Sequence, residues 1–192
     1  MSSSVLYMSM SLDGYIAGPN DAPGNPGGDG FMRLHEWYSA DGESGRPAGP
    51  AGEVVDRMAA TGAVLVGRHT AEQADHYQGD HHGVPIFVLS HRPAPPSVAS
   101  YSSVTYVSDG IAAAMAQAKT AAGGRDVLVH GADLAQQALA AGVLDEIQID
   151  QIPVLLGAGR RLFDTLAARI ELDIVQVLDT PQATHIRYRV RR

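Results

Sequence analysis

Three short segments of this chain place polar or cationic groups directly after an apolar run. Gly67-Arg68-His69-Thr70 follows Ala63-Val64-Leu65-Val66, Ser90-His91-Arg92-Pro93 follows Pro85-Ile86-Phe87-Val88-Leu89, and His130-Gly131-Ala132-Asp133 follows Val127-Leu128-Val129. The chemistry these types serve is anion binding. A guanidinium such as Arg68 or Arg92 grips a phosphate in two-pronged fashion, and the Thr70 hydroxyl either caps a helix or donates to phosphate. Ser90, His91 and Arg92 together can recognise a phosphomonoester. Gly131 lets the backbone turn sharply, and Asp133 can cap the helix that follows. First-turn N–H groups of such a helix lack partners within it and favour an anion. For each segment alone the alternative is a structural turn, with Arg68 a solvated surface residue and Thr70 a simple cap.

The elements that must position these groups are strands alternating with helices. The runs at 5–10, 63–66, 85–89, 104–107 and 127–129 read as short buried strands, being apolar and too short for helices. Helical spacing predicts helices over 53–61, 111–121 and from Leu134 to Ala141, with Ser108-Asp109-Gly110 capping the second. Ile147, Ile149 and Ile152 open a further strand. Leu172, Ile174, Val177 and Leu178 then form one arm of an antiparallel hairpin and residues 184–190 the other, with Asp179-Thr180-Pro181-Gln182 as its turn. Ile186, Tyr188 and Val190 alternate with Arg187, Arg189 and Arg191, which predicts one buried and one wet face. This pattern is α/β, with a mostly parallel sheet whose carboxyl ends carry the three polar segments. A single domain over residues 1–192 is expected.

Composition narrows the function. The formal charge is −7 over 192 residues, which argues against a nucleic-acid or anionic-membrane surface. The absence of cysteine excludes disulfides, thiolate catalysis and cysteine-rich metal sites, and a cytoplasmic location is expected. No run approaches the roughly 20 apolar residues needed to span a bilayer. Nor do the first residues read as a secretory signal.

Other segments carry weaker signals. Residues 19–30 are rich in Pro and Gly and form a long loop, the kind that often serves as a lid or binding loop. Residues 31–38 hold the chain's one tryptophan, Trp37, which either stacks on a planar ligand or pins a short helix to the core with Phe31 and Leu34. Residues 74–83 gather His76, His81 and His82 with Asp75 and Asp80. A metal site there, and with it a metal-dependent hydrolase, is conceivable, but adjacent His81 and His82 suit no regular ligand geometry and no metal is expected.

With these residues in view, the chain resembles the dihydrofolate-reductase-like family that includes the riboflavin-biosynthesis reductase domain. The resemblance rests on MSMSLDGYIAG, VLVGRHT, PIFVLSHRP, VLVHGADLAQQALAAGVLDE and IPVLLGAGRRLF, in this order over nearly the whole chain. It implies a largely parallel sheet of about eight strands with a C-terminal antiparallel hairpin, NADPH as hydride donor, and a homodimer. By the same resemblance Gly67, Arg68 and Thr70 contact the cofactor phosphates. Ser90, His91 and Arg92 read the adenosine 2′-phosphate, while Gly131, Ala132, Asp133 and Leu134 form the pyrophosphate turn. Ala17 flanks the nicotinamide, Asp13 lies in the loop over the substrate, and Gly157 and Gly159 turn near the substrate edge. The chain departs from the family pattern in three ways. His130-Gly131-Ala132 replaces the glycine pair common in the pyrophosphate turn. The deaminase domain that accompanies many riboflavin reductases has no counterpart in these motifs, so only the reduction is expected of this chain. Spacing singles out none of Glu36, Asp41 and Glu43 as the acid that folate reductases set against the pterin ring.

The expected function is therefore an NADPH-dependent reductase of a small pyrimidine- or pterin-like heterocycle, akin to 5-amino-6-(5-phosphoribosylamino)uracil reductase or dihydrofolate reductase. Asp13 is the first candidate for a substrate-orienting or proton-relay group and Glu36 the second, with Trp37, Gly157 and Gly159 on the substrate side. Asp13 can equally be a plain Asp-Gly turn. The alternative function is a non-catalytic NADP-binding sensor or partner protein.

Overall fold

The structure, a computed structural model, describes residues 2–38, 46–164 and 166–191. Asp41 and Glu43 lie outside the described residues. The strands are β1 (Ser4–Ser11), β2 (Tyr15–Ala17), β3 (Ala63–Gly67), β4 (Ile86–Leu89), β5 (Val104–Val107), β6 (Val127–His130), β7 (Glu146–Ile152), β8 (Arg160–Arg161), β9 (Leu172–Asp179) and β10 (Thr184–Val190). The helices are α1 (Gly49–Ala59), α2 (Arg68–Gln73), α3 (Ile111–Ala121) and α4 (Ala132–Ala140), with 3-10 turns at Phe31–Tyr38, Asp75–Gly79 and Pro96–Val98. Eight strands form one sheet in the order β5-β4-β3-β6-β1-β7-β10-β9, and β2 pairs with β8. The expected α/β class, mostly parallel with an antiparallel C-terminal hairpin, is what the structure shows. No helix among the described residues is long and apolar enough to cross a membrane.

The chain divides into two compact units, and β1 contributes to both. Unit 1 comprises residues 1–6 and 60–145, and unit 2 comprises residues 7–59 and 146–192. In unit 1 the pairs β1–β6, β6–β3, β3–β4 and β4–β5 are all parallel. Strands buried on both faces read as continuous apolar runs, and Ala63, Val64, Leu65 and Val66 are each 0% exposed. Gly62 packs so closely on the end of α3 that an added Cβ would lie 2.4 Å from the Ala122 carbonyl oxygen. Asp145 ties the unit's first strand down. It accepts from the Ser4 amide at 2.9 Å and from Lys119 Nζ at 2.7 Å.

In unit 2 the pairs of β10 are antiparallel. β10 pairs with β7 on one side and β9 on the other, with a register shift between Arg187 and Tyr188. Its core gathers Leu34, Trp37, Ala51, Val54, Ile152 and Ala183. The expected alternation on β10 fails at one point. The buried residue of that strand is His185, 1% exposed, on the same face as Arg187. The reason lies in its cross-strand neighbour: His185 stands opposite Asp150, itself buried, with His185 Nδ1 2.8 Å from Asp150 Oδ1.

Three expected caps are corrected. α2, α3 and α4 begin after Gly67, Gly110 and Gly131, none with a side-chain cap bond, so Thr70 and Asp133 lie inside their helices and Asp109 does not cap. Gly110 and Gly131 sit at φ 88° and 100°, where a residue with a Cβ is strained. The backbone conformation, rather than a hydroxyl or carboxylate, starts these two helices.

Candidate functional site

In unit 1 the three polar segments come together at the carboxyl ends of β4, β3 and β6, which are neighbours in the sheet. A Cβ added at Gly131 would lie 2.7 Å from Thr70 Oγ1, and one at Gly67 3.9 Å from Leu134 Cβ. The first and third segments therefore meet backbone to side chain. The second is held to the first by Arg68, whose Nη1 donates to the Pro93 carbonyl at 2.8 Å and lies 3.4 Å from Ser90 Oγ. Arg68 Nε pairs with Glu72 at 2.6 Å.

These bonds assign different work to residues that looked alike in sequence. Ser90 is buried, accepts from the Arg92 amide at 3.0 Å and donates to the Arg92 carbonyl at 2.9 Å. Its hydroxyl shapes the loop. Arg68 braces the same loop. His91 and Arg92 are exposed, so the groups left to meet a ligand there are an imidazole and a guanidinium. Ala132 and Leu134 are buried in the first turn of α4, and Asp133 is exposed.

The histidine-rich segment is a strained turn. Asp75, His76, Tyr77 and Gln78 all have φ between 45° and 55°, and Gly79 follows at 75°. A left-handed turn of four residues with Cβ atoms costs about 1–2 kcal/mol for each of them. Tertiary bonds hold it. His76 is buried, its Nε2 2.8 Å from the Tyr106 hydroxyl on β5, and the Tyr77 hydroxyl is 3.0 Å from His130 Nδ1 on β6. Ser103 donates to the Gly79 carbonyl. Burial lowers the pKa of His76 and of His81, and the neighbouring His82 lowers His81 further. Among the described residues no three His, Asp or Glu side chains gather into a metal site.

Unit 2 carries the residues expected on the substrate side. Asp13 accepts from Ser11 Oγ at 2.6 Å, from the Leu156 amide at 3.1 Å and from the Gly157 amide at 2.7 Å. Hydrogen bonding, first from Ser11 and then from the two amides, holds its carboxyl at about 2, against opposing desolvation. At neutral pH the Asp13 carboxylate is an acceptor. Its work is to clamp the segment before Gly157 to the turn after β1. This depressed folded-state value makes the clamp's contribution full above the ordinary carboxyl range and lost as pH falls from about 4 through about 2. Asp13→Asn is expected to lower Tm at pH 7, and the gap between variant and wild type is expected to shrink from pH 4 to pH 2 in thermal melts.

Glu36 is exposed and pairs with Arg33 at 3.3 Å. Trp37 is 2% exposed, donates to Ser9 Oγ at 2.9 Å and meets His185 edge to face at 4.8 Å. This is the packing of the structural alternative, a side chain that pins its 3-10 turn to the core. Ala17 is buried at the end of β2. Gly159 presses against it: an added Cβ would lie 2.0 Å from the Ala17 carbonyl oxygen.

The sequence reading missed two groups. One is the Tyr77–His130 pair. The other is the buried Asp150–His185 pair, 2.8 Å apart, with Gln148 Nε2 donating to Asp150 at 3.1 Å. His185 Nε2 is buried without a hydrogen-bond partner. Asp150 also opposes, through its field, the lowering that burial imposes on the His35 pKa. The available signal was the alternation of Gln148 and Asp150 with Ile147 and Ile149, which sets two polar side chains on one face of a strand.

Comparison with known proteins shows the family and the fold. Residues 4–186 match the RibD C-terminal domain. The chain is 26% identical over 189 residues to the uncharacterized protein YwjB of Bacillus subtilis (strain 168), covering 96% of this chain and 95% of that one. Among solved structures, a protein of Shewanella sp. PV-4 provisionally named for riboflavin biosynthesis superposes with a TM-score of 0.76 at 22% identity, covering 99% of each chain. Dihydrofolate reductase of Enterococcus faecalis, complexed with NADP(H) and RAB-propyl, superposes with a TM-score of 0.61 at 14% identity, covering 100% of this chain and 97% of that one. These likenesses establish the fold, and the match over nearly its whole length establishes that this chain belongs to the RibD C-terminal domain family.

Proposed function

We propose that the protein is an NADPH-dependent reductase of a small planar heterocycle. The observation that carries this reading is the meeting of the three polar segments in unit 1, with Gly131 bare against Thr70. A Cβ would fill that space, so the residues present fit a phosphate that approaches the backbone closely. Gly67, Gly131 and the first turn of α4 would hold the pyrophosphate. His91 and Arg92 would meet the 2′-phosphate, on a loop shaped by Ser90 and braced by Arg68. Bound there, NADPH supplies a hydride.

Unit 2 supports the substrate half of the reading. Asp13 fixes the segment at Leu156 and Gly157, and Gly159 lets β8 approach β2. In this reading these groups orient the substrate side. A pyrimidine- or pterin-like substrate suits the family and the fold. The homodimer expected from the resemblance would find an apolar surface in β9, where Ile174 is 67% exposed and Val177 52%.

The specific test is Arg92→Ala. Losing a charge-assisted contact to the 2′-phosphate is expected to weaken NADPH about tenfold and to leave NADH within about twofold. Fluorescence titration with both nucleotides reads the difference. Equal losses for both would remove the assigned role of Arg92.

A further inference from the structure

We propose that the left-handed turn at residues 75–79 is an acid-released latch, closed on β5 while His76 is neutral and freed when that imidazole takes up a proton. All of its parts lie in unit 1, and it requires no ligand. The turn's own backbone does not favour the closed form. Asp75, His76, Tyr77 and Gln78 all carry Cβ atoms at φ between 45° and 55°, a conformation that persists only where the surroundings over-determine it. Inside the turn the Tyr77 amide donates to the Ala74 carbonyl at 2.8 Å and the Asp80 amide to the Tyr77 carbonyl at 3.0 Å. Side chains join it to the sheet. On the β5 side the His76 Nε2 lies 2.8 Å from the Tyr106 hydroxyl.

The place His76 occupies suits a neutral ring and penalises a charged one. The residue is 4% exposed, and its ring lies 6.0 Å from that of Tyr106. The Arg68 guanidinium lies over the same Tyr106 ring, 5.6 Å from its centroid. The groups that face His76 are Asp75 of the turn, Glu72 and Arg68 of α2, and Tyr106 of β5. Burial, the largest effect, and Arg68 hold its pKa below the ordinary value, against Asp75 and Glu72. A hydroxyl both donates and accepts, so the bond to Tyr106 forms with either neutral tautomer, and the latch depends on charge alone. Arg68 also donates to the Pro93 carbonyl at 2.8 Å, so the cation that opposes the proton is the one that braces the loop at residues 90–93. His81 works in the same direction. Its ring meets Tyr77 edge-on at 4.9 Å, and burial, then the adjacent His82, lower its pKa against Asp80. Once released, both imidazoles titrate in water near about 6.5. The closed turn is therefore fully favoured above that value and loses ground as pH falls below it, by up to about tenfold per pH unit for each histidine.

Hydrogen exchange followed by NMR at about pH 7.5 and about pH 5.5, corrected for the intrinsic pH dependence of exchange, reads the latch at the Tyr77 and Asp80 amides. In the wild-type protein their protection is expected to fall about tenfold between the two conditions. The Val64 amide, bonded to the Pro85 carbonyl in the same unit, is expected to change by less than about twofold. His76→Gln keeps a donor and an acceptor for Tyr106 and does not titrate, so it should cut the fall to about threefold or less, the part left to His81. Three results would overturn the inference: unchanged wild-type protection at Tyr77 and Asp80, an equal fall at Val64, or an undiminished fall in His76→Gln. An equal fall at Val64 would mean that acid loosens the unit as a whole. Should His76→Gln fail to fold, the His76 ring resonance of the wild-type protein is the second readout. A titration midpoint below about 6.5 is expected, and one at or above it would overturn the latch.

Discussion

His185→Ala is expected to cost about 3–5 kcal/mol of folding stability. Asp150 is 3% exposed, with His185 Nδ1 and Gln148 Nε2 on its Oδ1. Removing the imidazole strands a carboxylate with one neutral donor in the core. It also takes away the ring that Trp37 meets edge to face. Asp150→Asn removes the charge instead and leaves only imperfect hydrogen bonds, at about 1–3 kcal/mol. The two variants should therefore differ, with the histidine deletion worse. Denaturant unfolding at neutral pH measures both. Equal losses, or a His185→Ala cost below about 1 kcal/mol, would show that the hydrogen bond from His185 does not sustain Asp150 in the core.

The second large effect is at Gly159. Its φ is 125°, and an added Cβ would come within 2.0 Å of the Ala17 carbonyl oxygen and within 2.8 Å of Gly18 backbone atoms. Neither neighbour is a flexible side chain, so β8 must move away from β2. Strained backbone and overpacking each cost about 1–3 kcal/mol. Gly157 is the control. It too has a positive φ, 75°, but nothing lies within 4 Å of an added Cβ. Gly157→Ala should cost only the backbone term, about 1–2 kcal/mol. Paired chemical denaturation of the two alanine variants tests the contrast, and a Gly157→Ala loss as large as that of Gly159→Ala would contradict it.

Much of unit 1 was legible because its signals are local. AVLV and VLV are strands on both faces of which apolar side chains are buried, and the polar segments after them fall where a parallel sheet binds ligands. The division of labour within those segments was not legible. Whether Ser90 faces a ligand or its own loop depends on the Arg92 backbone and on Arg68, 22 residues away from it. The helix starts were misplaced because Gly110 and Gly131 begin helices through φ, while the sequence reading looked for capping side chains. Asp75-His76-Tyr77-Gln78 has no glycine to mark a left-handed turn. Bonds to Tyr106 and His130, distant in sequence, impose it. Asp150 and His185 likewise meet only through the pairing of β7 with β10. Strand β8, two residues long, is too short for any periodic signal. Asp13 was legible as a turn residue, and its grip on Leu156 and Gly157 was not, since those amides lie 143 and 144 positions on.

The central claim is that unit 1 binds NADPH and distinguishes it from NADH. Isothermal titration calorimetry of the wild-type protein with each nucleotide tests it most directly. The account predicts saturable one-site binding of NADPH, with NADH weaker by about tenfold or more because it lacks the 2′-phosphate that His91 and Arg92 meet. Absence of heat with either nucleotide, or equal affinity for both, would contradict it.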